Sequence, residues 1–172
     1  MNEILNNMKT RRSIRGYKPD MVPQDVIERI VEAGTYAASG MNRQPAIILA
    51  VTDKAMRDRL SGMNARIMGT DTDPFYGAPV VLVVLADKTV PTYLYDGSLV
   101  MGNLMNAAHA EGLGSCWIHR AKEEFASAEG KEILKSLGIE GEYEGIGHCV
   151  LGYPSAEEPE AKPRKEKYVY YI

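Results

Sequence analysis

Cysteines and metal-ligand spacings are scarce in this chain of 172 residues. Only two cysteines are present, Cys116 and Cys149, so at most one disulfide could form. Neither belongs to a CxxC pair, and no Cys/His spacing resembles that of a metal site. The sequence therefore excludes a disulfide framework or a structural zinc domain, and it indicates a reducing compartment.

The sequence also lacks signals for membrane insertion or export. The longest apolar run, residues 78–86, is far shorter than the ~20 residues that span a bilayer. The polar residues within the first eight positions do not resemble a signal peptide. The chain has 20 Lys and Arg against 23 Asp and Glu, which argues against a nucleic-acid partner. We expect a cytoplasmic protein that forms one domain over residues 1–172, without membrane contact.

The basic segment KTRRSIR at residues 9–15 is the most distinctive stretch that the chain does contain. Four of its seven residues are cationic, in a protein whose formal net charge is −3. Arg11, Arg12 and Arg15 stay charged near neutral pH, and each guanidinium offers a planar fork of donors. Such a cluster suits a phosphate, because Arg–phosphate hydrogen bonds are charge-assisted and often bidentate. The alternative is that the segment forms the solvated basic end of a first helix.

Apolar periodicity predicts helices near residues 4–8, 23–31, 53–67, 96–111 and 122–137. Asp53 is expected to cap the third of these helices, and Gly138 to end the last in the left-handed conformation. A break in the last helix is predicted near Gly130. The helix at 96–111 is apolar nearly all round, which predicts that it is the most buried helix.

Strands are predicted from β-prone runs at residues 47–51, 80–86, 113–118 and 146–152. The unbroken apolar run at 80–86 is typical of a central strand covered on both faces. After a charged surface segment, the tyrosine-rich residues 168–172 are again β-prone and need a sheet edge, which we expect a second subunit to provide by strand exchange. The predicted fold class is α+β, with a central sheet of four or five strands flanked by helices.

Four motifs occur together, in an order and approximate spacing that point to one enzyme family. They are RRSIR at residues 11–15, SGMNRQP at 39–45, GLGSCWI at 112–118 and KPR at 162–164. The chain resembles the nitroreductase family of FMN-dependent oxidoreductases from about Met8 to its C-terminus. This resemblance implies a nitroreductase-like fold and a homodimer with FMN bound at each end of the subunit interface.

The resemblance also implies which residues hold the phosphate end of FMN. Arg11, Arg12 and Ser13 would meet the phosphate and the ribityl chain. Lys162 and Arg164 would return to the phosphate from the charged segment near the C-terminus. Several fixed cations would then neutralise one terminal phosphate.

The resemblance also implies which residues contact the flavin ring. Arg15 would lie near its pyrimidine edge, and Ile118 and His119, or the peptide just beyond them, would present backbone groups to the ring and its N5. Arg15 and His119 are thus candidate supporting residues for the chemistry. The other subunit would supply four residues of the polar loop: Ser39, Met41, Asn42 and Gln44.

The implied reaction moves a hydride from NADH or NADPH through flavin N5 to a small acceptor by a ping-pong mechanism. The acceptor could be a nitroaromatic, a quinone, a free flavin or an activated alkene. Departures from the family pattern, namely Ala46 after the Gln-Pro pair, His119 itself and a short segment between residues 67 and 79, leave the shape of the acceptor pocket open.

Three other functions are compatible with the residues. The chain could be an FMN-binding sensor or storage protein with little turnover, or a reductive dehalogenase or flavin-modifying enzyme with the same fold. It could also be a basic interaction module without a cofactor. Cys116 could be a redox thiol beside the flavin, although a buried small residue on a strand is the simpler interpretation.

Overall fold

The computed structural model describes residues 2–172, in which one antiparallel sheet lies between two layers of helices. The strands are β1 Ala46–Val51, β2 Val80–Asp87, β3 Gly114–Ile118 and β4 Tyr143–Gly152. The helices are α1 Glu3–Thr10, α2 Gln24–Thr35, α3 Lys54–Met68, α4 Tyr93–Ala110, α5 Ala121–Ala126 and α6 Ala128–Ser136, with a 3₁₀ turn at Gly40–Asn42. The predicted α+β class is confirmed, and the sheet has four strands where four or five were predicted.

The sheet has the strand order β1-β2-β4-β3, and each neighbouring pair is antiparallel. As predicted, the apolar run at 80–86 is central, and its residues are fully buried. Alternate residues of β2 point to opposite faces. Val81, Val83 and Leu85 therefore join the core with α3, α5 and α6, whereas Val80, Leu82 and Val84 join the core with α2 and α4.

Two of the predicted helix ends are confirmed, and the predicted break is wrong. The Asp53 carboxylate accepts a hydrogen bond from Met56 N (2.8 Å), and Gly138 has the left-handed φ of 70°. The last helical segment, however, breaks at Ser127 rather than near Gly130. Ser127 caps α6 by accepting from Gly130 N (3.1 Å), and Gly130 lies so close to Glu124 O that a Cβ would be 2.2 Å away. Gly130 therefore permits close packing at the start of α6 instead of ending a helix.

Helix α4 begins earlier than predicted and is not buried on all sides. It starts at Tyr93, and its buried face includes Met101 and Leu104. Tyr95 and Leu99 remain 71% and 50% exposed. Part of the apolar surface of α4 therefore lies outside the core of this chain.

The C-terminal segment, residues 155–172, is exposed along its whole length. Residues 168–172 form no strand within the chain, and the outer edge of β1 has no strand partner among residues 2–172. Strand exchange therefore stays a prediction. Within that same range, no helix is long and apolar enough to cross a membrane.

Candidate functional site

The basic segment leaves α1 and continues as extended backbone along β3. Helix α1 ends at Thr10, so the arginines do not form the basic end of a helix. Ser13 forms a parallel bridge with Ser115, and Ile14 N donates to Ser115 O (3.0 Å). The Ile14 side chain is buried against Gly114, where an added Cβ would lie 2.7 Å from it. The segment is therefore fixed to the sheet edge by both backbone and side-chain contacts.

Several polar atoms of this region are buried without a partner. Arg12 Nη1 donates to the carbonyl oxygens of Lys9 and Arg11 (2.8 Å each). Arg11 Nη1, Arg12 Nε and Ser115 Oγ are buried and have no hydrogen-bond partner among the described residues. A buried donor left unpaired costs about 1–3 kcal/mol. These atoms fit an anionic ligand such as the phosphate of a cofactor, because it would supply the missing acceptors.

A cavity of about 350 Å³ lies at the end of β3. Arg15, Ile118 and His119 line it together, with Arg120 and the loop at residues 72–76. The structure thus brings together the three residues predicted for the flavin ring. The loop at residues 72–76 forms one wall of this cavity, and Asp73 belongs to it.

Asp73 holds the loop wall through four hydrogen bonds to its carboxylate. Its carboxylate accepts from Arg57, from Ser61 Oγ (2.6 Å), and from the backbone N–H groups of Phe75 (2.9 Å) and Gly77 (2.8 Å). Burial raises the pKa of Asp73, but these hydrogen bonds outweigh that effect and keep the pKa below its usual value. The carboxylate therefore stays ionised and its contacts persist at neutral pH.

Cys116 lies on the cavity wall but behaves as a core residue. Burial raises the pKa of its thiol, and the positive charges of Arg15 and Arg11 act in the opposite direction without reversing the shift. The thiol is therefore protonated at neutral pH. Cys149 is fully buried, and burial raises its pKa to about 12.

The polar loop adopts a strained conformation. Met41, Asn42 and Gln44 have φ values of 54°, 54° and 49°, in the left-handed region that non-glycine residues seldom occupy. Ser39 Oγ accepts from Gln44 N (3.1 Å), and Gln44 Nε2 donates to Asn42 Oδ1 (2.9 Å). The four predicted residues of this loop therefore form one internally bonded turn.

Asp96 of α4 anchors that turn. Its carboxylate is almost fully buried and accepts from Gly40 N (3.0 Å) and from Thr92 Oγ1 (2.7 Å). The sequence suggested Asp96 only as a helix start, and no residue pattern indicated its bond to the loop. The constraint arises from a contact between residues that are 56 positions apart.

The polar loop and the arginine segment line separate cavities of this chain. Ser39 and Gln44 line a space of about 330 Å³ beside Asp96 and Val100, and it shares no lining residue with the cavity at Arg15. Within one chain, the polar loop and the arginine segment predicted for the cofactor site therefore lie in different places.

Lys162 and Arg164 do not reach the arginine segment within this chain. Both are exposed, and Arg164 Nη2 donates to Lys162 O (2.8 Å). Across residues 2–172, neither forms a hydrogen bond or ion pair with Arg11, Arg12 or Ser13. Their predicted contact with a phosphate remains a prediction.

Comparison with known proteins agrees with this geometry. The sequence profile of the Nitroreductase family matches residues 8–70 and 65–153. The chain belongs to the nitroreductase family. Within it, a provisionally named NADH dehydrogenase/NAD(P)H nitroreductase of Archaeoglobus fulgidus is 31% identical over 163 residues, which cover 92% of this chain and 89% of that protein.

Two further nitroreductase-family proteins relate the chain to flavin chemistry. The FMN reductase [NAD(P)H] of Bacillus subtilis is 25% identical over 181 residues, covering 95% of this chain and 70% of that protein. The crystal structure of a nitroreductase with bound FMN from Bacteroides fragilis superposes with a TM-score of 0.88, at 28% identity and with full coverage of both chains. The predicted nitroreductase fold is confirmed.

The anchoring role of Asp96 can be tested in this family member by urea unfolding. Replacing Asp96 by Ala leaves the Gly40 N–H and the Thr92 hydroxyl without their acceptor, so the free energy of unfolding should fall by about 1–3 kcal/mol. Ser98→Ala is the matched control, because Ser98 lies two residues further along α4 and bonds only to Leu94 O. Equal stability of the two variants would contradict the assignment.

Proposed function

We propose that this protein is an FMN-dependent oxidoreductase that takes electrons from NADH or NADPH and delivers them to a small-molecule acceptor. The observation that carries the proposal is the set of unpaired arginine and serine donors beside β3, adjacent to the cavity that Arg15 lines. The names of its relatives support both the flavin and the nicotinamide donor.

The phosphate end of FMN would lie at the arginine segment. Arg11, Arg12 and Ser13 would hold the phosphate, where Arg11 Nη1 and Arg12 Nε lack acceptors among residues 2–172. Lys162 and Arg164 would add two cations if the exposed C-terminal segment folds back over the site. One terminal phosphate matches this donor set, and no feature of the residues that the structure describes suggests a place for an adenosine group.

The ring end would lie in the cavity at Arg15, Ile118 and His119. The bound flavin supplies the hydride-carrying chemistry, with NAD(P)H and the acceptor using the site in turn. Arg15 would place a permanent cation where the reduced cofactor gains negative charge. Ile118 and His119 would contribute backbone groups and exclude water from one side. Nitroaromatics, quinones, free flavins and activated alkenes are the acceptor classes that we propose.

The complete site would require a homodimer. The loop containing Ser39, Met41, Asn42 and Gln44 lies away from the Arg15 cavity of its own chain, which supports its contribution to a second chain's site. The exposed apolar residues of α4 and the unpaired edge of β1 provide surfaces for that second chain. A terminal strand from residues 168–172 would then complete a five-stranded sheet.

The cofactor assignment is tested by the flavin that the purified protein releases. We expect a yellow protein that yields FMN on denaturation, identified by chromatography, and that oxidises NADH or NADPH when an acceptor is present. FAD as the main species, or no flavin after reconstitution, would refute the FMN assignment. Tight FMN binding without NAD(P)H oxidation by any acceptor would instead favour a sensor or storage protein.

The two ends of the cofactor site can be separated by two matched substitutions. Arg15→Gln removes a charge beside the ring, so FMN should still bind while its reduction potential falls and hydride transfer slows by about tenfold to a hundredfold, equivalent to ~1–3 kcal/mol. Arg12→Gln should weaken FMN binding and leave the potential of the flavin that remains bound unchanged. Potentiometric titration of both proteins measures the difference. Loss of FMN from Arg15→Gln with an unaltered potential would identify Arg15 as a phosphate ligand.

The dimer is tested by deleting residues 168–172. The truncated protein should dissociate at higher concentrations than the intact protein and should lose FMN in parallel, because the exchanged strand and the loop from the second chain would be weakened together. Light scattering and flavin retention measure the two effects, with Glu160→Gln in the same exposed segment as the control. A truncated protein with unchanged association and FMN content would contradict strand exchange.

A further inference from the structure

A fully buried polar network lies behind the wall of the Arg15 cavity. Glu124 of α5, His148 of β4 and Asn64 of α3 are each 0% exposed. His148 Nε2 lies 3.0 Å from Glu124 Oε2, and Asn64 Nδ2 donates to Glu124 Oε1. Three separate elements thus direct polar side chains to one point in an otherwise apolar core.

The network is attached to the corner at residues 118–120, which comprises the last residue of β3 and the two residues that lead to α5. His148 Nδ1 lies 3.4 Å from Ile118 O, and Asn64 Nδ2 also donates to His119 O (2.8 Å). Arg120 Nε donates to Asn64 Oδ1 (2.8 Å). Asn64 therefore uses both amide hydrogens and its oxygen on this corner and on Glu124, which fixes the orientation of its amide group.

Both ring nitrogens of His148 face an oxygen atom. Ile118 O lies beside Nδ1, and the Glu124 carboxylate lies beside Nε2. The carboxylate also accepts from Asn64 Nδ2, so each of the three buried side chains contacts at least one other polar group of the network.

The corner itself is strained and needs such support. Arg120 has φ 78°, in the left-handed region, where a non-glycine residue costs roughly 1–2 kcal/mol. Ala121, the residue after Arg120, approaches Gly145 of β4 so closely that a Cβ at Gly145 would lie 2.2 Å from Ala121 O. The corner is thus held from the core side by both polar and close backbone contacts.

Planarity of the peptide bond determines what the corner presents to the cavity. The carbonyls of Ile118 and His119 point into the network, and each trans peptide directs its N–H in the opposite direction. The N–H groups of His119 and Arg120 therefore point away from the network, on the side where these residues line the cavity. Neither N–H has a hydrogen-bond partner in the part of the chain that the structure describes.

We propose that Asn64, Glu124 and His148 are positioning residues that hold the His119 and Arg120 N–H groups toward the ring of the bound flavin. This inference rests on the proposed FMN function. A buried ionisable pair is seldom the most stable way to fill a core, since apolar residues of similar volume often serve as well or better. Its attachment to two consecutive carbonyls of a cavity wall gives it a function beyond filling space.

The test compares one disruptive and one conservative substitution. Asn64→Leu removes the bonds to His119 O and to Arg120 at nearly constant volume. Glu124→Gln keeps the network, because the Gln oxygen can accept from Asn64 and its amide can donate to a neutral His148, whose Nδ1–H then donates to Ile118 O. Asn103→Leu is the matched control, since Asn103 bonds a backbone carbonyl, Ala33 O (3.1 Å), on another face of the protein.

We expect Asn64→Leu to shift the reduction potential of bound FMN and to slow its reduction by NAD(P)H by about tenfold to a hundredfold, because misplacement by ~1 Å costs up to about 10²-fold. FMN affinity should change by less than tenfold, since the phosphate contacts remain. Glu124→Gln and Asn103→Leu should keep the wild-type potential. If Asn64→Leu does not fold, Asn64→Ser is measured in its place, because a hydroxyl cannot reach both acceptors.

A potential and a reduction rate in the Asn64 variant equal to those of Asn103→Leu would overturn the proposal and leave the network a stability element only. A shifted potential in Glu124→Gln equal to that in Asn64→Leu would also overturn it, because the conservative variant retains the geometry. Failure of the FMN assignment is distinguished from both results by the wild-type protein, which would then bind no FMN.

Discussion

The pairing of the arginine segment with β3 is the interaction on which the candidate site depends. Ile14 N bonds to Ser115 O, and the Tyr17 hydroxyl donates back to Ile14 O (2.8 Å). Further along, Ser155 N donates to Gly16 O (3.1 Å). These contacts fix a cationic stretch that would otherwise be a flexible connection between two helices. They also make β3 common to both ends of the site, because the strand begins beside the arginines and ends at the cavity.

This arrangement carries an energetic cost in the chain alone. Arg11, Arg12 and Arg15 bring like charges together, and buried donors of Arg11 and Arg12 have no acceptor within residues 2–172. An anion that binds there relieves both costs and stabilises the folded state by an amount that grows with the logarithm of its free concentration over its dissociation constant. Under the proposed FMN assignment, cofactor binding and folding stability would therefore be coupled through the same few atoms.

Structural features that depend only on neighbouring residues could be predicted from the sequence. The uninterrupted apolar run of β2, the Asp53 cap and the left-handed Gly138 each depend on neighbouring residues, and the structure confirms them. Because glycine often ends helices, the break was predicted near Gly130 rather than at Ser127. In the structure, the small size of Gly130 instead allows close packing against Glu124 O.

The residues that support the site depend on distant contacts, and so could not be predicted in the same way. Arg15, Ile118 and His119 were predicted to contact the flavin ring from motif resemblance, and the fold places them around one cavity. Asn64 and Glu124 lie on amphipathic helices, where polar residues ordinarily face solvent. Only the packing of α3 against α5, and of α5 against β4, turns them inward. His148 lies in the apolar run of β4, and nothing in the sequence indicates that Glu124 is its partner.

The left-handed residues around the candidate site have a consequence for how its sequence can vary in evolution. At Met41, Asn42, Gln44 and Arg120, the backbone excludes valine, isoleucine and threonine for steric reasons, and it favours glycine or asparagine. A restricted set of residues at these positions in related genes would therefore reflect the shape of the main chain. Selection for a particular substrate should be sought instead at positions with ordinary backbone angles, such as His119, where side chains can change without altering the fold.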